Sequence, residues 1–446
     1  MVPAVHFRDS VFVALTFAFG LLFHRTSVIL DQGNPGSHYD KERYGYHNSN
    51  SIFRHFNLLL FTDPMVLLSK SSLQGLLRRA LPFSMRPFLC LFLLATTACA
   101  ANLVTAQNVP LSRPIEIKVV VINMFEVGAD TGDAPGEYQY WVEREHLDTV
   151  LPFPAGYHDL RLNEKNGILG VLTGVGTARA AATIMALGSD SRFDLTHAYF
   201  LVAGIGGIDP KMGSLGSAVW SDYIVDGDLA HEIDAREIPK DWSTGYVPLG
   251  KSTPYEQPRA ARFGDDGNIY HLNTSLVDWA FTLTKDTPLP DTSAMATRRM
   301  QYGEDAAHRP PFVLRGDNLS AATFWHGKLL NQWARDWVKY QTDGHGTYAI
   351  CGMEDTGTMQ SLTWLAHAHK LDINRVLILR TASNFDQQRQ GITAAESLGE
   401  TKVRQYSAYL PALDSAYRVG HLVVDHLVAN WSQTRDQIPT GAVPLK

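Results

Sequence analysis

From Ile115 onward the chain alternates short, continuously apolar runs with longer amphipathic ones. IKVVVINMF (117–125) is dominated by β-branched residues with no polar alternation, the pattern of a strand buried on both faces. GILGVLTGVG (167–176), THAYFLVAGIGGID (196–209) and RVLILRTASNFDQ (375–387) repeat it, each ending in glycines or polar residues. TARAAATIMALGSD follows the second run and predicts an Ala-rich helix. GSAVWSDYIVDGDLAHEID predicts a further strand or strand pair. FVLRGDNLSAATFWHGKLLNQWARDWVKY predicts a strand, a turn and a long amphipathic helix. TYAICGMEDTG leads into the helix TMQSLTWLAHAHK, and SAYRVGHLVVDHLVANWSQ predicts a final helix. Strands alternating with helices define an α/β fold with a mostly parallel sheet. Ligands of such sheets bind beyond the carboxyl ends of the strands. The ends here are Asn123–Glu126, Gly174–Thr177, Ala203–Gly207, Arg315–Asn318, Glu354 and Asn384, and the pattern predicts that they converge on one pocket.

The first quarter reads differently. FVALTFAFGLLF (12–23) is too short to span a bilayer, which takes about 20 apolar residues. LLLFTDPMVLL is broken by Pro64. From Met85, MRPFLCLFLLATTACA has the layout of a secretory signal peptide: a basic start, an apolar centre and the small residues Ala98, Cys99 and Ala100. Cleavage is expected after Ala100, with Ala106 as a second site. The expected organisation is therefore an N-terminal extension over 1–84, a signal over 85–100, a linker over 101–114 and one domain over 115–446. On this reading Met85 is the true start and the protein is exported. If residues 1–84 are made, their first apolar run is the alternative anchor.

Composition narrows the classes. The 446 residues are 45% hydrophobic and 19% charged, which is globular, and the net charge of −6 comes with no long basic run, so nucleic acid is not an expected partner. Cys90, Cys99 and Cys351 offer neither a CxxC motif nor a disulfide scaffold. His367 and His369 in HAHK stand two apart on a predicted helix and diverge, so neither metal nor cofactor is expected there.

The chemistry sits at the strand ends. TGVGTARAA places a glycine turn before a helix whose free N–H groups suit an oxyanion, but it lacks the GxGxxG spacing and the P-loop lysine. GIGG reads either as a turn that admits a ligand or as a structural turn. Glu354 and Asp355 open a helix, where acids are ordinary caps. Trp141 and Trp325 could stack on a planar ligand or belong to the core.

In order, GVGTARAA, AGIGG, RGDN, GMEDTG and RTASN resemble the strand-end series of the nucleoside phosphorylase and nucleosidase superfamily over about the last three hundred residues. The longer phrases INMFEVGADTGDAPGEYQYWVE, HAYFLVAGIGGIDP, LGSAVWSDYIVDGDLAHEID and TASNFD resemble the purine nucleoside permease family within it. The resemblance implies a three-layer αβα fold, purine nucleoside as ligand and a possible homo-oligomer. It implies that Met353 packs on the sugar and that Glu354 accepts from the ribose hydroxyls. Gly174, Gly206 and Gly207 fall in the binding turns, and Arg315 and Asp317 in a segment near the base. Asn384 stands where many members carry the Asp that protonates the purine, and Asp386 follows two residues later. Glu126 falls close to the water-activating Glu of nucleosidases. FLVAGIGG lacks the phosphate-binding Arg of phosphorylases, leaving Arg179 and Arg315 as the nearest cations.

Two readings result. One is an exported purine-nucleoside-binding protein that serves uptake, handing its ligand to a separate membrane transporter. The other is an enzyme that splits the N-glycosidic bond, a nucleosidase in preference to a phosphorylase.

Overall fold

The computed structural model describes residues 113–259, 268–400 and 406–441. The chain divides into units Met1–Val109 and Pro110–Lys446, and every described residue belongs to the second. The extension, the signal sequence and its cleavage sites lie outside the described residues.

Nine strands carry the argument: β1 Val119–Asn123, β2 Ile168–Leu172, β3 Tyr199–Ile208, β4 Ala218–Trp220, β5 Tyr223–Asp226, β6 Val313–Arg315, β7 Asp317–Ser320, β8 Tyr348–Gly352 and β9 Val376–Phe385. Together with Thr149–Leu151, Leu160–Asn163 and Ile269–His271 they form one sheet, in the order 269–271, β5, β7, β8, β3, β1, β2, 160–163, 149–151. On the other side of β3 lies β9, which carries β4, which carries β6. The middle is parallel: β2 with β1, β1 with β3, β3 with β9. The pairs β5–β7 and β7–β8 are parallel as well. Antiparallel pairing joins β8 to β3, β4 to β9, and the edge strands. Every residue of β1 and β2 is buried, as their unbroken apolar runs require.

The helices are α1 Gln139–Arg144, α2 Thr177–Gly188, α3 Thr274–Thr284, α4 Lys328–Gln341, α5 Asp355–His367 and α6 Tyr409–Ala429, with shorter ones between. α2 and α5 pack side by side so closely that a Cβ on Gly357 would stand 2.1 Å from the carbonyl oxygen of Thr177. Only glycine allows that approach. α6 packs on β3 and β9 with α1 and α3 beside it, burying Leu413, Tyr417, Val423, Val424 and Leu427. α4 buries Trp333, Trp337 and Tyr340 at the spacing of an amphipathic helix.

The long strand β3 corrects one expectation. GIGG is not a turn but the second half of this ten-residue strand. Its first half pairs with β1, and its last residues, Gly207 and Ile208, pair with β8 instead. Gly206 admits that second neighbour, because a Cβ there would stand 2.2 Å from the carbonyl oxygen of Cys351. Trp141 and Trp325 are core residues: the first packs edge-on against Tyr417 at 5.2 Å, the second against Trp333 at 5.9 Å.

Candidate functional site

Four ionisable side chains meet where β3, β8 and β9 run side by side. Arg380 of β9 is 1% exposed, so every donor it carries needs a partner. Its Nε and Nη2 donate to Asp355 at 2.9–3.2 Å, its Nη2 also to Glu354 Oε2 at 2.9 Å, and its Nη1 to the Ile205 carbonyl at 3.1 Å. Two glycines make room for it: a Cβ on either Gly204 or Gly352 would lie 2.9 Å from guanidinium atoms. Asp355 is also held by Asn318 Nδ2 at 3.0 Å.

Glu354 leaves β8 just ahead of α5 and is 3% exposed. Its Oε1 accepts the N–H of Gly176 at 3.0 Å, and Oε2 accepts Arg380 and the Met353 N–H at 3.2 Å. The Gly176 N–H can point there because Gly174 and Gly176 adopt φ of 79° and 99°, a region open to glycine. Thr177 Oγ1 secures the turn by donating to the Met353 carbonyl at 3.2 Å. Burial raises the pKa of Glu354 and Arg380 opposes that rise.

The fourth group is Glu137, which the sequence did not single out. It accepts the N–H of Met124 at 2.9 Å and of Ile205 at 2.7 Å. A Cβ on Gly204 would touch both Glu137 Oε1 and Arg380 Nη1, so the two are neighbours across one glycine. Burial pushes the Glu137 carboxyl up to about 8, with Arg380 pulling it down and Glu354 pushing it further up. Three buried acids thus share one guanidinium. A signal existed in the sequence: Arg380 is a lone charge inside the apolar run RVLILRTA, and such a charge calls for buried acids.

The remaining candidates fall elsewhere. Glu126 accepts four main-chain N–H groups, from Val127 at 2.7 Å, Gly136, Tyr138 at 3.0 Å and Gln139 at 2.6 Å. A carboxylate has about four acceptor positions, so Glu126 fastens the turn into α1 and has none left for a water. Asp317 starts β7, at the end away from Glu354, and accepts the N–H groups of Tyr223 and Thr347; burial pushes it up to about 6. Arg315 is paired with Asp222 and Asp278. The predicted convergence of Arg315–Asn318 on the pocket therefore fails for Arg315 and Asp317, because the chain breaks between β6 and β7 at Gly316; Asn318, through Asp355, does reach the cluster. Arg179 is exposed and donates to the Val175 carbonyl at 3.1 Å. Gly207 packs under Asn384, Cys351 and Asp386. Asp386 is buried with both oxygens engaged, by Asn331 at 2.8 Å and Tyr348 at 2.5 Å, and burial together with Asp209 pushes it up to about 7.

Asn384, at the end of β9, is half-buried and lines a cavity of about 460 Å³ with Ser383, Phe385, Tyr302, His326 and Arg298. Its amide donates to the Phe385 carbonyl at 3.0 Å and accepts from Ser383 Oγ at 2.9 Å. Burial lowers the pKa of His326, which favours the neutral imidazole. Arg380 and Asn384 are four positions apart on one strand, ~13 Å at the usual rise. Phe125, Ile205, Tyr406 and Tyr409 form an apolar cluster, and Tyr406 also lines the cavity.

An α/β domain with a buried acid–guanidinium cluster and, further along β9, a cavity of about 460 Å³ has the architecture in which small ligands bind at strand ends. The purine nucleoside permease family (NUP) profile matches residues 116–439, and the chain belongs to that family. It is 32% identical over 322 residues to a probable purine nucleoside permease of Schizosaccharomyces pombe, covering 71% of this chain and 90% of that one. It is 28% identical over 353 residues to a purine nucleoside permease of Candida albicans, covering 76% and 83%. Among solved structures it is similar to a 5′-methylthioadenosine/S-adenosylhomocysteine nucleosidase of Helicobacter pylori, with a TM-score of 0.41, 14% identity and coverage of 70% of this chain and 99% of that one. A futalosine hydrolase of the same organism gives a TM-score of 0.40 at 13% identity, covering 69% and 98%.

Proposed function

We propose that this protein binds purine nucleosides and takes part in their uptake. The observation that carries the reading is Glu354, a buried carboxylate fixed by Arg380 and Gly176 with acceptor capacity to spare. Family membership supplies the ligand class, since the named relatives are purine nucleoside permeases. The ribose lies against Glu354 and Met353, and the base extends toward Asn384 and its cavity. Among the described residues no helix is long and apolar enough to cross a membrane. The chain is exported through the signal beginning at Met85 and delivers nucleoside to a separate transporter.

Glu137 favours a second reading, cleavage of the N-glycosidic bond by water. A carboxyl pushed up to about 8 keeps its proton at neutral pH, and a retained proton is what a general acid offers a leaving base. Phosphorolysis is less well served, since Arg315 is already paired with two carboxylates.

The test uses the full chain with adenosine, guanosine and inosine, with and without phosphate, following binding by calorimetry and free base by chromatography. Binding without base release, together with faster uptake of labelled adenosine by cells making the protein, supports the first reading. Base release without phosphate supports the second. Glu354→Ala should weaken adenosine far more than adenine; equal losses would remove Glu354 from the ribose. N-terminal sequencing of the secreted chain checks export.

A further inference from the structure

The cavity that Asn384 lines has a second wall, the short helix Ser293–Arg299. Met295 and Arg299 of that helix turn into the core, and Asp291 holds the Arg299 guanidinium at 2.6 and 2.8 Å. The other face, Ser293, Ala294, Thr297 and Arg298, is thereby presented to the cavity at helical spacing. No aspartate or glutamate is among the described residues of the lining, and Arg298 is its one guanidinium.

The charge of Arg298 is only partly countered. Glu400 accepts from Arg298 at 2.7 Å and from Arg389 at 2.6 Å, so two guanidiniums share one carboxylate. A guanidinium carries five N–H donors. Arg298 gives one to Glu400 and one to Gln301 Oε1 at 3.3 Å, and the remaining three have no partner among the described residues. Its field reaches across the cavity: burial lowers the pKa of His326 and Arg298 lowers it further, while burial raises that of Tyr406 and Arg298 opposes the rise. Asn384 is already engaged on both its oxygen and its nitrogen, by Ser383 Oγ and the Phe385 carbonyl. The strongest unspent groups of the cavity are therefore charged donors.

Such a wall distinguishes purines by the edge they present. A 6-oxopurine offers O6 and N7, two adjacent acceptors that a guanidinium meets with two N–H groups. Adenine offers N7 beside an amino group, whose hydrogens would face those of the guanidinium. Resting on the proposed reading, in which the base extends toward this cavity, we infer that Arg298 is a specificity-determining residue that selects 6-oxopurine nucleosides over adenosine. Inosine, guanosine and xanthosine form the favoured class.

The test ranks inosine, guanosine, xanthosine and adenosine by calorimetry on the wild-type full chain. The three oxopurine nucleosides should bind about ten- to a hundredfold more tightly than adenosine, the usual worth of a hydrogen bond to a charged group. Arg298→Met should close that gap by weakening the oxopurine ligands, with adenosine held within about threefold. Glu400→Gln separates recognition from a structural role. It breaks the same ion pair but leaves the guanidinium in place, so the preference should persist or widen. Adenosine binding as tightly as the other three would overturn the inference and leave the proposed function standing. A preference that survives Arg298→Met, or that disappears equally in Glu400→Gln, would overturn it as well. Failure of all four to bind would refute the proposed function, and the inference with it. The wild-type ranking and Glu400→Gln decide the matter even if Arg298→Met does not fold.

Discussion

Arg380→Met removes the one cation from a cluster of three buried acids. Asp355 is fully buried, Glu354 3% exposed and Glu137 5% exposed, so none can turn to water once the guanidinium is gone. The substitution deletes the side-chain donor to Glu354 and three of the hydrogen bonds that orient Asp355. Breaking a buried pair from one side costs about 3–5 kcal/mol, a large share of the roughly 5–15 kcal/mol that holds a domain together. Urea unfolding followed by circular dichroism should show the unfolding free energy falling by that amount at neutral pH, with a correspondingly lower midpoint. The double variant Arg380→Met/Asp355→Asn should recover part of the loss, since it removes a charge stranded by the first change. The sign with pH is also set. Burial already raises the carboxyls of Glu137 and Glu354, and losing Arg380 removes the group that opposes that rise. The folded state then holds more protons, and the deficit grows as pH climbs above the ordinary carboxylate range. A loss below about 1 kcal/mol, or one that shrinks with rising pH, would refute the reasoning.

Glu137→Gln should gain stability over wild type as pH rises from about 5 to about 8. A carboxyl whose folded pKa is raised from 4.5 to about 8 binds protons in the native state that the unfolded chain has released; urea midpoints across that range check it. Nucleoside affinity should fall on acidification at a pH above the ordinary range for a glutamate, because Glu354 accepts hydrogen bonds in its ionised form and its pKa is raised by burial; calorimetry on a pH series reads the midpoint. Gly357→Ala should lower stability by about 1–3 kcal/mol, because α2 must move off the new methyl; thermal unfolding measures it.

The α/β architecture was legible because its strands are fully buried, and a two-sided burial writes itself as an unbroken apolar run. IKVVVINMF and RVLILRTASNF needed nothing more than that. GIGG was misread because glycine marks any close approach, and here the approaching group is the backbone of Cys351 rather than a ligand. The site was legible only in part. Glu354 stood out through its place after an apolar strand. Glu137 and Glu126 lie within one loop-rich stretch, and the spacing alone cannot say which carboxylate turns inward. The choice is made by distant partners, Ile205 and Gly204 for Glu137, and by the local main-chain N–H groups that capture Glu126. Asp317 looked like a site residue because RGD sits at the end of an apolar run, but Gly316 splits that run into two strands and leaves the acid at the start of the second.

The Ile205 N–H donates to Glu137, 68 residues earlier, and the Ile205 carbonyl accepts from Arg380, 175 residues later, while Glu354 accepts from the Gly176 N–H, 178 residues earlier. These three bonds each close a long loop. Such contacts pay their chain entropy before they return any energy, so the cluster forms at the end of folding, after β3 has taken both neighbours. No fragment of the sheet can hold the cluster by itself. A chain stalled before β9 docks would leave Glu354 and Asp355 without their guanidinium partner, and an intact cluster therefore reports completed folding of the domain.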